Sequence, residues 1–346
     1  MIPRITGVAT AVPPHAVTQE TAATFARSFF GDDLPEIERL LGAFANAGIE
    51  RRYLACSPDW YDTPRPFHRK NQVYHRVARS LGGEAAEAAI RATGTHRKDL
   101  GAIVFVSTTG IATPSLDSVL IQDLDLPRDI ARLPLWGLGC AGGAAGLAHA
   151  ARLVQATGGP VLLVAVELCS VTFLHEDRSK ANLIATALFG DGAAAAVVSP
   201  EGDGPAVIRG HSHLVDDSED VMGWSLQEAG LRVVFSRSIP SVVHQVVPQV
   251  AARAAAAAGW SPADLRHLVF HPGGTRVLEA FVEALEVDPA RFAAARDVLR
   301  DYGNMSSPTV LFVLERFLAT TPASDEPGLL MALGPGFSAE SVLFRW

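Results

Sequence analysis

The chain has 346 residues, 48% of them hydrophobic, and a formal net charge of −8. That suffices for a large core in two domains or one duplicated unit, and it excludes a disordered chain and a general nucleic-acid binder. Cys56, Cys140 and Cys169 are far apart and show no CxxC or Cys/His pattern, which argues against a disulfide framework and a zinc site.

The opening residues, MIPRITGVATAVP, read as a strand with no long apolar stretch behind a basic start, so no signal peptide is expected. The longest apolar runs, such as GPVLLVAV, are too short for a bilayer, so the expectation is a soluble cytoplasmic protein with no membrane insertion. Next, EAAIRATGTHRKDLGAIVFVS predicts a helix, a glycine C-cap at Gly94, a short loop and a buried strand ending at Ser107. WGLGCAGGAAGLAHAARL then places Cys140 in a glycine-flanked turn before a helix, and PVLLVAVE reads as a buried strand. A longer segment follows, CSVTFLHEDRSKANLIATAL, of the kind that often builds binding loops. Proline and glycine near residues 200–205 (SPEGDGP) mark a junction.

Beyond the junction the same succession returns. ARAAAAAGWSPADLRHLVFHP matches the earlier helix–glycine–strand unit, with Gly259 on Gly94, Asp264 on Asp99 and Val269 on Val104, all at one offset of 165 positions. At that offset the Gly139-Cys140 turn falls on Asn304-Met305 in DYGNMSSPTVLFVLERFL, where Ser306 or Ser307 suits a helix cap and Pro308 a first turn. PVLLVAVE resembles PGLLMALG with a two-residue slip, and PRITGVATAVP loosely matches PAVIRGHSHLV. The prediction is two related α/β halves, residues 1–203 and 204–346, with the CSVTFLHEDRSKANLIATAL segment an addition to the first. A pseudo-twofold axis would bring matching turns together, so that Cys140 from one half meets His271 and Asn304 from the other.

Such a cluster suits nucleophilic chemistry. A thiol is mostly protonated at pH 7, and an imidazolium or a helix N-terminus favours the anion. His271 and Asn304 both offer donors to a thioester oxygen as it gains charge in an enolate. Read singly, Cys140 is also a plausible small buried residue, His271 a strand end and Asn304 a turn residue or cap. Their placement on related turns is what joins them.

At these residues the sequence resembles the type III polyketide synthases, the chalcone-synthase-like branch of the thiolase superfamily. The matching motifs run in order: GLGCAGGAAG, ELCSVTF, ALFGDGAAA, EAGL, HPGG, YGNMSS and GPGF. The resemblance implies a homodimeric thiolase fold, with two duplicated halves in an αβαβα layering. It implies Cys140 as the acyl carrier, with His271 and Asn304 promoting malonyl decarboxylation. Phe189 would stand between CoA tunnel and cavity. Thr108, Cys169, Thr172, Trp224 and Ser306 would line the cavity, with Gly334 and Gly336 in a loop beside it. Gly273 and Gly274 would let pantetheine approach. The substrates would be acyl-CoA and malonyl-CoA, with no metal or other cofactor. Arg51, Arg52 and the segment RPFHRKNQVYHR are candidate CoA contacts, although Glu50 stands where the family usually has a basic residue.

Thr113, Val233 and Trp224 depart from the plant pattern, and MGW…GLRVVFS with Cys169 looks closer to bacterial alkylpyrone and alkylresorcinol synthases. An aliphatic starter is the expectation. The nearest alternative is a ketoacyl synthase making a single condensation, or joining two preformed chains, on an acyl carrier protein. A catalytically silent binding subunit would keep the fold, but the intact Cys140, His271 and Asn304 argue against it. A thioesterase is disfavoured because no water-activating carboxylate stands out in the matched motifs.

Overall fold

The computed structural model describes residues 1–236, 238–320 and 325–346. Its main sheet has nine strands. One half runs Arg4–Ala11, Asp191–Ser199, Val161–Leu168, Ala102–Val106 and Ala131–Leu135, each beside the next. The other runs Ala206–Leu214, Ser338–Arg345, Pro327–Gly334 and His267–Phe270. The first four strands of each half share one pattern: antiparallel, antiparallel, then parallel. The two half-sheets touch through one pair, Arg4 opposite Ala206.

The duplication holds in register. Ala102 pairs with Val161 and His267 with Gly328, which is an offset of 165 on one strand and 167 on its neighbour. That is the two-residue slip seen in PVLLVAVE and PGLLMALG. Gly94 and Gly259 both adopt left-handed φ, of 64° and 76°, where a side chain would be strained.

The layers follow from strand alternation. Ile103, Phe105, Leu162 and Val164 face one core, packed under the long helix Phe67–Thr93. Ala102, Val104, Leu163 and Ala165 face the other, which continues to the second half-sheet. Helices Gly142–Thr157 and Thr309–Thr320 lie between the half-sheets, and Ile239–Ala256 covers the outer face of the second. This is the αβαβα thiolase arrangement. Small residues let the central layer close up: a Cβ on Gly143 would stand 2.2 Å from the Ser307 carbonyl oxygen. Among the described residues, no helix is long and apolar enough to cross a membrane.

The additional segment of the first half becomes a short turn, Cys169–Thr172, and the helix Lys180–Leu188. Farther on, the strands Met222–Gln227 and Gly230–Phe235 form a separate hairpin with Trp224 opposite Val233.

Candidate active site

Cys140 sits in a single 3-10 turn, Gly139–Ala141, directly before helix Gly142–Thr157. Gly139 takes φ 46°, and a Cβ there would meet Pro335 at 2.7 Å, so glycine is required by both conformation and space. The Gly139 N–H donates to Thr108 Oγ1 at 3.1 Å, fixing the turn from behind.

Asn304 enters from the other half. Gly303 precedes it at φ 70° and ψ −166°, a conformation reserved for glycine. The Asn304 N–H donates to the Leu188 carbonyl, and the Gly190 N–H donates to the Asn304 carbonyl. The helix Lys180–Leu188 therefore clamps Asn304 by backbone bonds beside Phe189. The Asn304 side chain is also oriented. Its Oδ1 accepts the Ser306 N–H at 2.8 Å, and its Nδ2 donates one hydrogen to the Gly273 carbonyl at 3.2 Å, leaving the second. Cys140 Sγ lies 3.9 Å from Asn304 Oδ1. His271 follows the strand His267–Phe270, anchored by its N–H to the Met331 carbonyl. Both its ring nitrogens are buried without a hydrogen-bond partner.

Cys140, His271 and Asn304 line one cavity of about 590 Å³, with Phe189, Trp224, Ser306, Gly273 and Gly274. Its exposed lining residues include Arg39 and Arg276, which mark the rim. Burial pushes the Cys140 thiol up to about 11 and brings His271 down to about 3. Burial and the helix N-terminus act on the sulfur in opposite directions, and a protonated imidazole beside it would favour the thiolate. Transfer of the thiol proton to the imidazole creates both charges together, where each stabilises the other.

Several expected site residues lie elsewhere. Arg52 is buried; it donates to the carbonyls of Thr186, Ala187 and Phe189, where a cation complements the end of helix Lys180–Leu188. It is no surface contact for CoA. Arg51 is exposed and lines neither large cavity, and Thr113 is likewise exposed and outside both. In RPFHRKNQVYHR, Lys70 is buried and donates to the Phe173 and Ala229 carbonyls. Thr108 supports the Cys140 turn and is not on the cavity wall. Cys169 and Thr172 line a second cavity, not that of Cys140. Gly334 and Gly336 shape the loop whose Pro335 lines the site; a Cβ on Gly334 would stand 2.4 Å from the Leu138 carbonyl oxygen. Ser307 caps no helix; its hydroxyl donates to Glu167.

Glu167 is the residue that sequence reasoning missed, although it lies in the matched ELCSVTF motif. It is fully buried behind Thr108 and receives the N–H groups of Thr108 and Thr109 and the hydroxyls of Thr109 and Ser307. Burial pushes it up to about 7, and these four donors pull the other way. One acid inside the apolar strand VLLVAVEL was the available signal. It is not part of the cavity lining, so it offers no base to water there. Arg39 and Arg276 were also missed.

Residues 3–202 match the family described as chalcone and stilbene synthases, N-terminal domain, and residues 207–346 match its C-terminal domain. A putative chalcone synthase of Bacillus subtilis is 38% identical, covering 99% of this chain and 98% of that protein. A 1,3,6,8-tetrahydroxynaphthalene synthase of Streptomyces peucetius is 37% identical, covering 99% and 93%. The crystal structure of a 1,3,6,8-tetrahydroxynaphthalene synthase from Streptomyces coelicolor superposes with a TM-score of 0.95 at 30% identity, covering 99% of each chain.

Proposed function

The chain belongs to the chalcone and stilbene synthases, the type III polyketide synthases, and from that premise we propose that Cys140 carries the acyl group while His271 and Asn304 hold the enolate. Enzymes of this class condense malonyl-CoA decarboxylatively. One observation carries the assignment of roles: a single cavity takes its thiol from one half of the fold and its imidazole and carboxamide from the other.

His271 takes the Cys140 proton as the sulfur attacks the acyl-CoA carbonyl. The carbon–sulfur bond to CoA breaks, and the departing CoA thiolate receives that proton from His271. Malonyl-CoA then enters. Its carbon–carboxylate bond breaks, CO2 leaves, and the electron pair remains as an enolate. A neutral His271 N–H and the free Asn304 Nδ2 hydrogen donate to the enolate oxygen, and neither needs to carry charge. The enolate carbon attacks the acyl carbonyl and expels the Cys140 thiolate. No step calls on a metal or redox cofactor. Arg39 and Arg276 at the rim complement the CoA phosphates.

The preferred starter is an aliphatic acyl-CoA. Apolar Trp224 and Val233 in the cavity wall support this reading. The working unit is a homodimer. In support, strand Ala131–Leu135 is paired on one side only and largely exposed, with exposed Trp136 next to it.

Intact-protein mass spectrometry with a panel of acyl-CoA starters tests the assignment. One acyl adduct is expected at Cys140 and none in Cys140→Ala, with CO2 release and product only when malonyl-CoA is added. An adduct surviving at another residue, or no CO2 with any starter, overturns it.

A further inference from the structure

Neither EAGL at 228–231 nor RPFHRKNQVYHR at 65–76 contributes to the lining of the catalytic cavity. They meet instead at Lys70. This lysine stands in the first turn of the helix Phe67–Thr93 and is only 4% exposed. EAGL makes the turn of the hairpin Met222–Gln227 and Gly230–Phe235. Lys70 Nζ donates to the Ala229 carbonyl in that turn at 3.3 Å, and to the Phe173 carbonyl at 2.7 Å. One ammonium thus joins a helix of the first half, the loop after Cys169–Thr172 and a hairpin of the second half. Beside it Gly230 takes φ 135°, where a side chain is strained, and a Cβ there would reach Phe67 at 3.4 Å and Lys70 Nζ at 3.9 Å.

The hairpin depends on such a hold. Its strands pair only with each other, and a lone two-stranded ribbon is marginal in water. The Ser236 N–H closes its base on the Val221 carbonyl, and the half-exposed Arg232 pairs with Asp177 at 3.1 Å. Its inner face carries Trp224, Val233 and Phe235 onto the cavity of Cys140, with the Trp224 and Phe235 rings 5.8 Å and 5.7 Å from Phe189. Burial brings the Lys70 ammonium down to about 8. An apolar side chain would cost less to bury there; the ammonium adds one donor group shared between two segments.

We propose that Lys70 is a positioning residue for condensation: it pins the hairpin turn to the first half and so holds the wall of Trp224, Val233 and Phe235 in place around substrate at Cys140. The inference rests on the reading of Cys140 as acyl carrier. Cys140, His271 and Asn304 sit on other elements. A loosened hairpin therefore removes wall contacts that ground state and transition state share, and leaves the reacting groups in place.

The test compares the wild type with Lys70→Met, which removes the ammonium, and Gly230→Ala, which strains the same contact from the hairpin side. The readouts are hydrogen exchange followed by mass spectrometry and steady-state kinetics with hexanoyl-CoA and malonyl-CoA. In both variants the amides of residues 222–235 should exchange about tenfold faster or more, the effect of losing a charged hydrogen bond, while strands Val161–Leu168 and Asp191–Ser199 keep wild-type protection. KM for hexanoyl-CoA should rise about three- to tenfold, with kcat within about twofold of wild type. Wild-type exchange in the hairpin, or faster exchange there with an unchanged KM, overturns the proposal. So does a fall in kcat at unchanged KM, which loss of folded enzyme alone would give. Should Lys70→Met not fold, Gly230→Ala decides by the same two readouts. A wild type that forms no acyl adduct at Cys140 overturns the parent reading and the role in condensation with it, whereas a wild type that forms the adduct beside variants with its KM overturns the role of Lys70 alone.

Discussion

At the offset of 165 positions, Cys140 corresponds to Met305, Asn304 to Gly139, and His271 to Val106. The fold thus carries two equivalent constellations, Cys140 with His271 and Asn304, and Met305 with Val106 and Gly139. Around the first is the 590 Å³ cavity. In the second, Met305 and Val106 are fully buried, and Met305 packs so close to Gly192 that a Cβ there would stand 2.6 Å from its sulfur. Backbone symmetry alone therefore makes no reaction centre. Chemistry arises where one turn keeps a small nucleophile beside open space, and its twin becomes core by filling that space.

The comparison is broken most severely by removing the donors of the first constellation. His271→Ala or Asn304→Ala should lower kcat for condensation by about 10²–10³-fold, the usual effect of deleting one oxyanion donor. The readout is CO2 release from malonyl-CoA, and an unchanged rate in both variants would refute the enolate role. Met305→Cys probes the twin. It should cost about 2 kcal/mol or more of stability in urea unfolding, through lost packing, yet still give one acyl adduct per chain by mass spectrometry.

Glu167 sharpens the contrast in pH dependence. Its folded pKa of about 7 exceeds the ordinary carboxyl value, so the native state holds a proton that the unfolded chain releases. Its contribution to stability is present below about pH 4.5 and lost as pH rises through 7, amounting to about 3 kcal/mol at most by linkage. His271, brought down to about 3, acts in the opposite sense: stability is lost as pH falls below the ordinary histidine value. Urea titrations of Glu167→Gln at pH 5 and pH 8 should show a loss relative to wild type that is smaller at pH 8. The smallest effect belongs to the rim: Arg39→Ala or Arg276→Ala should raise KM for malonyl-CoA by about three- to tenfold at low salt, less at high salt, and leave kcat alone.

Much of this was legible in sequence because repetition leaves a trace that local patterns can expose. The helix–glycine–strand unit, the two-residue slip and the addition after Leu168 each correspond to chain topology. The cluster of Cys140, His271 and Asn304 followed from symmetry plus residue chemistry. What escaped depends on packing between distant segments. Arg51 and Arg52 look alike in GIERRYL, yet strand alternation turns Arg52 inward onto the end of a helix and leaves Arg51 in solvent. Arg39 and Arg276 lie far apart in the chain, and only the fold puts both on the lining of one cavity. Cys169 and Thr172 are expected on the wall around Cys140, but they line a separate cavity, divided from it by the stacked Phe189 and Trp224 rings.

The half-sheets share one bridging pair, so the central helices carry most of the packing between the two halves. At Gly143 the backbone of one helix rests almost directly on the loop that precedes the other. A bare hydrogen is therefore the shim between the two lobes. A single methyl inserted there would press on the loop that carries the carboxamide while leaving every reacting atom intact. Machining tolerance, more than the inventory of catalytic groups, sets how far such a duplicated scaffold can drift and still make a carbon–carbon bond.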